Sequence, residues 1–404
     1  MPDSYQSPHV EGPAATVDPL LDWTARQLNR LFGLAFAVLL AGDHEVGPLA
    51  RAMISQPFHS PLKGFAMKRV TLVFTLALAA GLSGHTAFAQ TLKTVTDRGM
   101  LSCGVSQGLP GFSTPDDKGN WTGLDVDICR AVAAAIFNDP TKVKFVPLSA
   151  KDRFTALQSG EIDVLSRNTT WTLSRDTSLG ANFTGVTYYD GQGFLVKKSL
   201  NVNSALELSN ASVCVQTGTT TEQNLADYFK GNKMKYEVIA FTTADETVKA
   251  YESGRCDVFT SDVSQLYAER LKLANPADHV VLPEVISKEP LGPMVRHGDD
   301  QWFDVVKWVL FAMVDAEELG ITQKNVDEMA KSDKPELRRA FGADGNLGEQ
   351  LGLTKDWVSR IVKAVGNYGE SFDRNVGAGS KLGISRGLNQ LWTKGGIQYA
   401  PPIR

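Results

Sequence analysis

The stretch SRNTTWTLSRDTSLGANFTG, residues 166–185, sets hydroxyls, amides and two arginines behind a short apolar run, residues 162–165. A second hydroxyl-rich stretch, VFTSDVSQ, carries Asp262. An arginine can hold a carboxylate through two parallel hydrogen bonds, and an aspartate can accept from an ammonium group. Arg175 and Asp262, on opposite walls of one cleft, would be complementary to a zwitterion. Asn168, Thr170, Thr219 and Thr220 would add neutral donors. Charge-assisted bonds contribute about 1.5–3 kcal/mol each, so a few of them reach micromolar affinity. The bland alternatives are a surface pairing of Arg175 with Asp176 or Glu161, and an N-cap role for Asp262 at the start of VSQLYAERL.

Other chemistry is sparsely provided. Beyond residue 89 only His279 and His297 remain, and H-E-x-x-H, G-x-S-x-G, the P-loop and G-x-G-x-x-G are all missing. Neither a catalytic site, a metal nor a cofactor is expected. Glu370 in GESF could be offered as a general acid, but a solvated glutamate at a helix end is the simpler reading. The net charge of -4 does not suit a nucleic-acid surface.

The elements that would position these residues form a repeat. ALQSGEIDVLSRNTTW, from Ala156, and AYESGRCDVFTSDVSQ, from Ala250, share an alanine, a large apolar residue, Ser-Gly and Asp-Val at the same spacing. Each reads as a helix ended by a left-handed glycine, Gly160 or Gly254, then a short strand and a polar loop. MLSCGVSQG and KVKFVPL read as strands around the helix GLDVDICRAVAAAIF. ASVCVQTGTTTEQNLADYF repeats strand, glycine turn and helix, with Thr219 and Glu222 as a capping box. Alternating strands and helices predict parallel-rich sheets flanked by helices, with ligands beyond the carboxyl ends of the strands.

Two crossings between lobes are expected, at residues 196–199 and 287–291. The organisation is then lobe 1 over 90–196, lobe 2 over 197–289, and a return to lobe 1 with a helical C-terminal extension over 290–404. The stripes in WFDVVKWVLFAMVDAEELG and KDWVSRIVKAVGNYGESF are read as core. Upstream, Met67-Lys68-Arg69, an apolar run and Ala87-Phe88-Ala89 read as a signal peptide over 67–89, behind a leader over 1–66 that is not part of the native protein. Export makes disulfides among Cys103, Cys129, Cys214 and Cys256 plausible.

GLDVDICRAVA resembles the signature of the family 3 solute-binding proteins, polar amino acid receptors of ABC transporters. The hydroxyl-rich strand end and Thr172 to Arg175 match it too, and VGNYGESFDRNVG with RGLNQLWTKGGIQYAPPIR resembles the long C-terminal extension of the general L-amino acid-binding members. The resemblance implies an α/β, two-lobed periplasmic-binding-protein fold of type II. It implies that Thr170, Arg175 and Thr220 bind an α-carboxylate and that Asp262 binds the α-ammonium. It also implies a monomeric periplasmic receptor of broad specificity that delivers L-amino acids to an inner-membrane permease with a cytoplasmic ATPase. The alternative is a cyclohexadienyl or arogenate dehydratase on the same fold. Aromatic residues that sandwich the ligand in many relatives are replaced by Leu109 and Ala150. Arg167 and Trp171 are bulky additions, and Arg167 either meets acidic substrates or points to solvent. The preferred pairing of the thiols is Cys103 with Cys129 and Cys214 with Cys256, each within one lobe.

Overall fold

The structure is a computed structural model that describes residues 90–404. The expected leader (1–66) and signal peptide (67–89) lie outside the described residues. Lobe 1 contributes β1 (Leu101–Val105), a hairpin of β2 (Thr114–Pro115) and β3 (Trp121–Thr122), β4 (Val143–Pro147), β5 (Val164–Leu165) and β6 (Ala181–Phe183). The chain crosses on β7 (Tyr188–Asp190) and builds lobe 2 from β8 (Gln192–Lys197), β9 (Ala211–Gln216), β10 (Tyr236–Phe241), β11 (Val258–Asp262) and β12 (His279–Val281). It returns on β13 (Glu289–Leu291) to β14 (Met294–Arg296).

Both sheets have five strands and one plan. Lobe 1 runs β4-β1-β5-β14-β6 and lobe 2 runs β10-β9-β11-β8-β12. In each, three parallel strands come first, and the strand arriving from the other lobe enters antiparallel, β14 against β5 and β8 against β11. The sheets are therefore mixed, because each crossing strand enters from the hinge end. The two linkers pair with each other: Glu289 faces Asp190, Pro290 faces Tyr189 and Leu291 faces Tyr188. The second crossing falls within the expected residues. The first lies upstream of 196–199, which already belong to β8 and the turn after it.

The repeated segments occupy equivalent third positions, as β5 and β11. Gly160 (φ 79°) and Gly254 (φ 77°) both adopt the left-handed conformation that lets a helix turn directly into a strand. The repeated aspartates have one structural job. Asp163 accepts from the Ser102 N–H at 2.7 Å, and Asp257 from the Ser212 N–H at 2.9 Å, so each pins the start of the neighbouring strand.

The disulfides follow the preferred pairing. Cys103–Cys129 ties β1 to the helix Leu124–Phe137, and Cys214–Cys256 ties β9 to the segment before β11. After β14 the apolar stripes become core as expected: Trp302, Val305, Val306 and Val309 of the helix Asp300–Glu318 are buried with Trp357, Ile361 and Phe372 of the extension. Asp127 holds the extension in place by accepting from Ser371 Oγ (2.7 Å), Arg374 Nη2 (2.5 Å) and Asn375 Nδ2 (2.7 Å). The extension also reaches the hinge, where the Asn389 side-chain amide bonds to both N (2.7 Å) and O (3.1 Å) of Tyr189.

Candidate functional site

The first wall of the cleft starts at the helix Leu124–Phe137. Its first-turn Asp125 accepts from the Asn168 N–H at 2.8 Å and from Ser166 Oγ at 3.3 Å. Asn168 has a φ of 32°, a region that asparagine tolerates better than most residues, and this carboxylate fixes the loop there. Burial pushes Asp125 up to about 6, against the opposing effect of those hydrogen bonds.

Three arginines converge behind that loop. Arg175 is placed by the helix Leu173–Ser178, whose N-cap Thr172 accepts from the Arg175 N–H. Its side chain is 9% exposed, lies over the Phe154 ring (5.3 Å to the centroid) and donates from Nη1 to Thr170 O at 2.9 Å. Neither Asp176 nor Glu161 pairs with it among the described residues. Arg167 points inward, not to solvent, donating from Nε to Leu148 O at 2.9 Å and lining the cleft. Burial lowers it to about 10, partly offset by the nearby Asp125 carboxylate.

Arg153 was not anticipated. It donates from Nη1 to Thr169 Oγ1 (3.3 Å) and from Nη2 to Gly218 O (3.4 Å), and its Nε has no partner. Burial and the charges of Arg167 and Arg175 hold its guanidinium well below the usual arginine range. A signal was present in the sequence. Arg153, Ala156 and Leu157 share the i, i+3, i+4 face that the helix Arg153–Ser159 buries.

The second wall carries the carboxylates. Asp262 occupies the N-cap position of the helix Val263–Arg270 but makes no capping hydrogen bond. Asp190 caps that helix instead, accepting from the Ser264 N–H (3.3 Å) and from the Ser264 hydroxyl. Burial and the neighbouring Asp190 and Glu289 hold Asp262 well above the usual carboxylate range, with Arg153 and Arg175 acting the other way. Asp190 is itself pushed up to about 7 by burial, in spite of its hydrogen bonds. Glu289 accepts from Thr220 Oγ1 (2.8 Å), Asn224 Nδ2 (2.7 Å) and Ser287 Oγ (2.6 Å).

The helix Thr220–Gly231 points its start into the cleft. Thr219 caps it by accepting from the Glu222 N–H at 3.3 Å and donates its own proton to Gln216 O at 2.6 Å. Glu222 reaches the Gly218 N–H (3.1 Å) and not that of Thr219, so the capping box is only half formed. The N–H groups of Thr220 and Thr221 have no intrahelical acceptor at this end, and both residues line the cleft.

The walls touch. Thr170 and Thr220 hydroxyls lie 3.3 Å apart, Asn168 Nδ2 donates to Gln265 Oε1 at 3.4 Å, and Lys272 Nζ of lobe 2 donates to Gly108 O of lobe 1 at 2.8 Å. Gly218 (φ 74°) permits this approach, since a Cβ there would lie 3.3 Å from Lys151 Cα across the cleft. The cleft has two compartments that share part of their lining. The inner one, of about 20 Å³, is lined by Arg153, Thr170, Thr220, Ser261 and Asp262; the outer one, of about 140 Å³, includes Leu109. Arg167, Asn168, Gln216 and Gln265 line both. Ala150 is buried and Trp171 stacks on Phe183 (5.3 Å between centroids); neither lines a compartment. Glu370 forms a capping box with Asn367, so its carboxylate is committed to backbone N–H groups. Among the described residues no His, Cys, Asp or Glu group is arranged to hold a metal.

Two similar lobes on a two-strand hinge, with the polar side chains of both facing one cleft, define a solute receptor of the type II periplasmic-binding-protein fold. Residues 101–326 match the bacterial extracellular solute-binding proteins, family 3, and the chain belongs to that family. It is 62% identical to the general L-amino acid-binding periplasmic protein AapJ of Rhizobium johnstonii over 81% of this chain and 96% of that one. It is 53% identical to the glutamate/glutamine/aspartate/asparagine-binding protein BztA of Rhodobacter capsulatus, over 84% of this chain and 100% of that one. A solved periplasmic binding protein from Brucella ovis with glutathione bound superposes with a TM-score of 0.77 and 61% identity, covering 78% of this chain and 100% of that chain. These relatives are binding proteins, which sets the dehydratase reading aside.

Proposed function

We propose that the protein is the periplasmic receptor of an ABC importer, binding L-amino acids with broad specificity and delivering them, as a monomer, to a membrane permease. The observation that carries this reading is the Asp262 carboxylate. It sits at a helix start without capping it and faces a wall of three arginines. A zwitterion satisfies both sides at once: its ammonium goes to Asp262, and its carboxylate to Arg175, Arg153, the Thr170 hydroxyl and the N–H groups at the Thr220 helix start. Thr219 acts through the cap that presents those N–H groups. Asn168 and Arg167 stand where the side chain leaves the α-carbon. Closure of the lobes about β7 and β13 brings the halves of the site together.

The relatives support this reading: AapJ is a general L-amino acid-binding protein, BztA binds four acidic and amide amino acids, and the Brucella ovis protein holds glutathione. A periplasmic location follows the Rhizobium relative, and no described helix is long and apolar enough to cross a membrane. Calorimetric titration with the L-amino acids tests the reading. Micromolar binding of chemically diverse members is expected; binding of none, or of uncharged analogues equally well, would overturn it.

A further inference from the structure

The two crossing strands pass from one lobe to the other at a single register. On the lobe 2 side, Asp190 accepts from the Ser264 N–H (3.3 Å), and Glu289, paired opposite it, accepts from Thr220 Oγ1 (2.8 Å) and Asn224 Nδ2 (2.7 Å). One residue nearer lobe 1, the Pro290 carbonyl accepts from the Trp171 N–H (2.7 Å) and the Gly292 N–H donates to Thr169 O (2.9 Å). The chain that follows β5 therefore fastens β13 to lobe 1.

On β7 the equivalent support comes from the C-terminal extension. Pro290 stands opposite Tyr189 and has no N–H to give. The Tyr189 N–H and C=O bond instead to the Asn389 side chain, at 2.7 and 3.1 Å, much as they would to a neighbouring strand. Just upstream, Tyr368 Oη donates to Thr187 O (2.8 Å) and Gln398 Nε2 to Val186 O (3.2 Å). Asn389 is 3% exposed and is itself held: Arg386 Nη2 donates to Asn389 O (2.8 Å), and both arms of Arg386 reach Glu317 of the helix Asp300–Glu318 at 3.0 Å. A continuous line of contacts runs from the lobe 1 core to the residue directly before Asp190.

Building on the receptor reading above, we propose that Asn389 is a positioning residue for lobe closure. It fixes the lobe 1 end of the first crossing at Tyr189, so that both crossings bend at one place, between the Tyr189/Pro290 and Asp190/Glu289 pairs. The extension then supplies half of the pivot. Without the Asn389 amide, β7 is released back toward Thr187 while β13 still bends at Pro290, and closure must re-order the released residues before the walls meet. The fraction of the protein able to close falls, and apparent affinity falls by the same factor for every ligand, because no ligand atom is involved.

The test compares the protein with Asn389→Ala. Small-angle scattering without ligand is expected to give the variant the larger radius of gyration. Calorimetric titration with L-alanine and L-glutamine is expected to show both weakened about fivefold, by factors that agree within about twofold. An unchanged radius of gyration with both affinities within about twofold of the unsubstituted protein overturns the proposal, and so does a loss confined to one ligand. Should Asn389→Ala fail to fold, residue-resolved hydrogen exchange on the unsubstituted protein decides. The Tyr189 amide is expected to be equally protected with and without L-glutamine; slowing by more than about tenfold on adding glutamine places Tyr189 inside the bend and overturns the proposal. A protein that binds neither amino acid refutes the receptor reading alone, and scattering without ligand still judges the pivot.

Discussion

Asp190 performs the capping that the position of Asp262 calls for. From the hinge strand, Asp190 accepts from the Gly191 N–H at 2.9 Å and from Ser264 N at 3.3 Å, closing the start of the helix that Asp262 heads. The Asp262 side chain is thereby left without a hydrogen-bond partner among the described residues, at the end of β11 and lining the cleft.

Substitutions separate the two roles. Asp262→Asn removes a charge-assisted bond to the ligand and is expected to weaken amino acid binding about 10- to 100-fold, leaving the melting temperature unchanged or higher. Asp190→Asn loses a cap and is expected to cost about 1 kcal/mol of stability. Denaturant titration alongside calorimetry checks both.

Binding is expected to depend on pH. Asp262 must be ionised to accept from an ammonium, and burial with Asp190 and Glu289 nearby raises its pKa well above the ordinary carboxylate value. As pH falls through that raised pKa the carboxyl protonates, and affinity falls by up to tenfold per pH unit below it. A bound ammonium favours the ionised form, so binding releases protons at pH values near and below that raised pKa. Titrations in two buffers of different ionisation enthalpy, run as a pH series, measure that release; zero release throughout the series contradicts the assignment.

Lys272 holds the two lobes together at the mouth of the cleft. It bonds to Gly108 O across the gap and is positioned from behind by Glu269 and Asp245. Lys272→Met is expected to raise the ligand dissociation rate about fivefold, as loss of roughly one hydrogen bond's 1 kcal/mol implies, and to increase the radius of gyration of the ligand-free protein. Stopped-flow release and small-angle scattering read the two effects.

Much of this was visible in the sequence. The paired SGxxDV segments place β5 and β11 because a left-handed glycine and a strand-pinning aspartate are local requirements. The disulfide pairing followed from the expected lobes. Arg175, Asp262, Thr170 and Asn168 were singled out because hydroxyls and charges cluster after those strands, and all but Arg175 line the inner compartment. What was missed depends on contacts between distant segments. Arg153 shares a buried helix face with Ala156 and Leu157, but its place in the cleft is set only when Gly218 of the other lobe closes over it. Asp190 and Glu289 become neighbours only when two linkers pair. The first crossing was placed late because β7 and β8 are separated by Gly191 alone and read as one strand.

The disulfides are expected to stabilise the lobes and not their closure, since each lies within one lobe. Loop separations of 26 and 42 residues imply a stabilisation of about 3–4 kcal/mol each. Cys214→Ser/Cys256→Ser is expected to lower the denaturation midpoint while amino acid affinity in buffer changes by less than about threefold. A large affinity loss in a fully folded variant would show that the bridge shapes the site.

The central claim is that opposite charges on the two lobes grip the two charges of one ligand. Calorimetric titration of the protein with L-glutamine, its α-amide and its N-acetyl derivative removes each ligand charge in turn without altering the protein. Micromolar binding of glutamine, with both derivatives weaker by about a hundredfold or more, is the predicted result. Binding of either derivative within tenfold of glutamine would contradict the account.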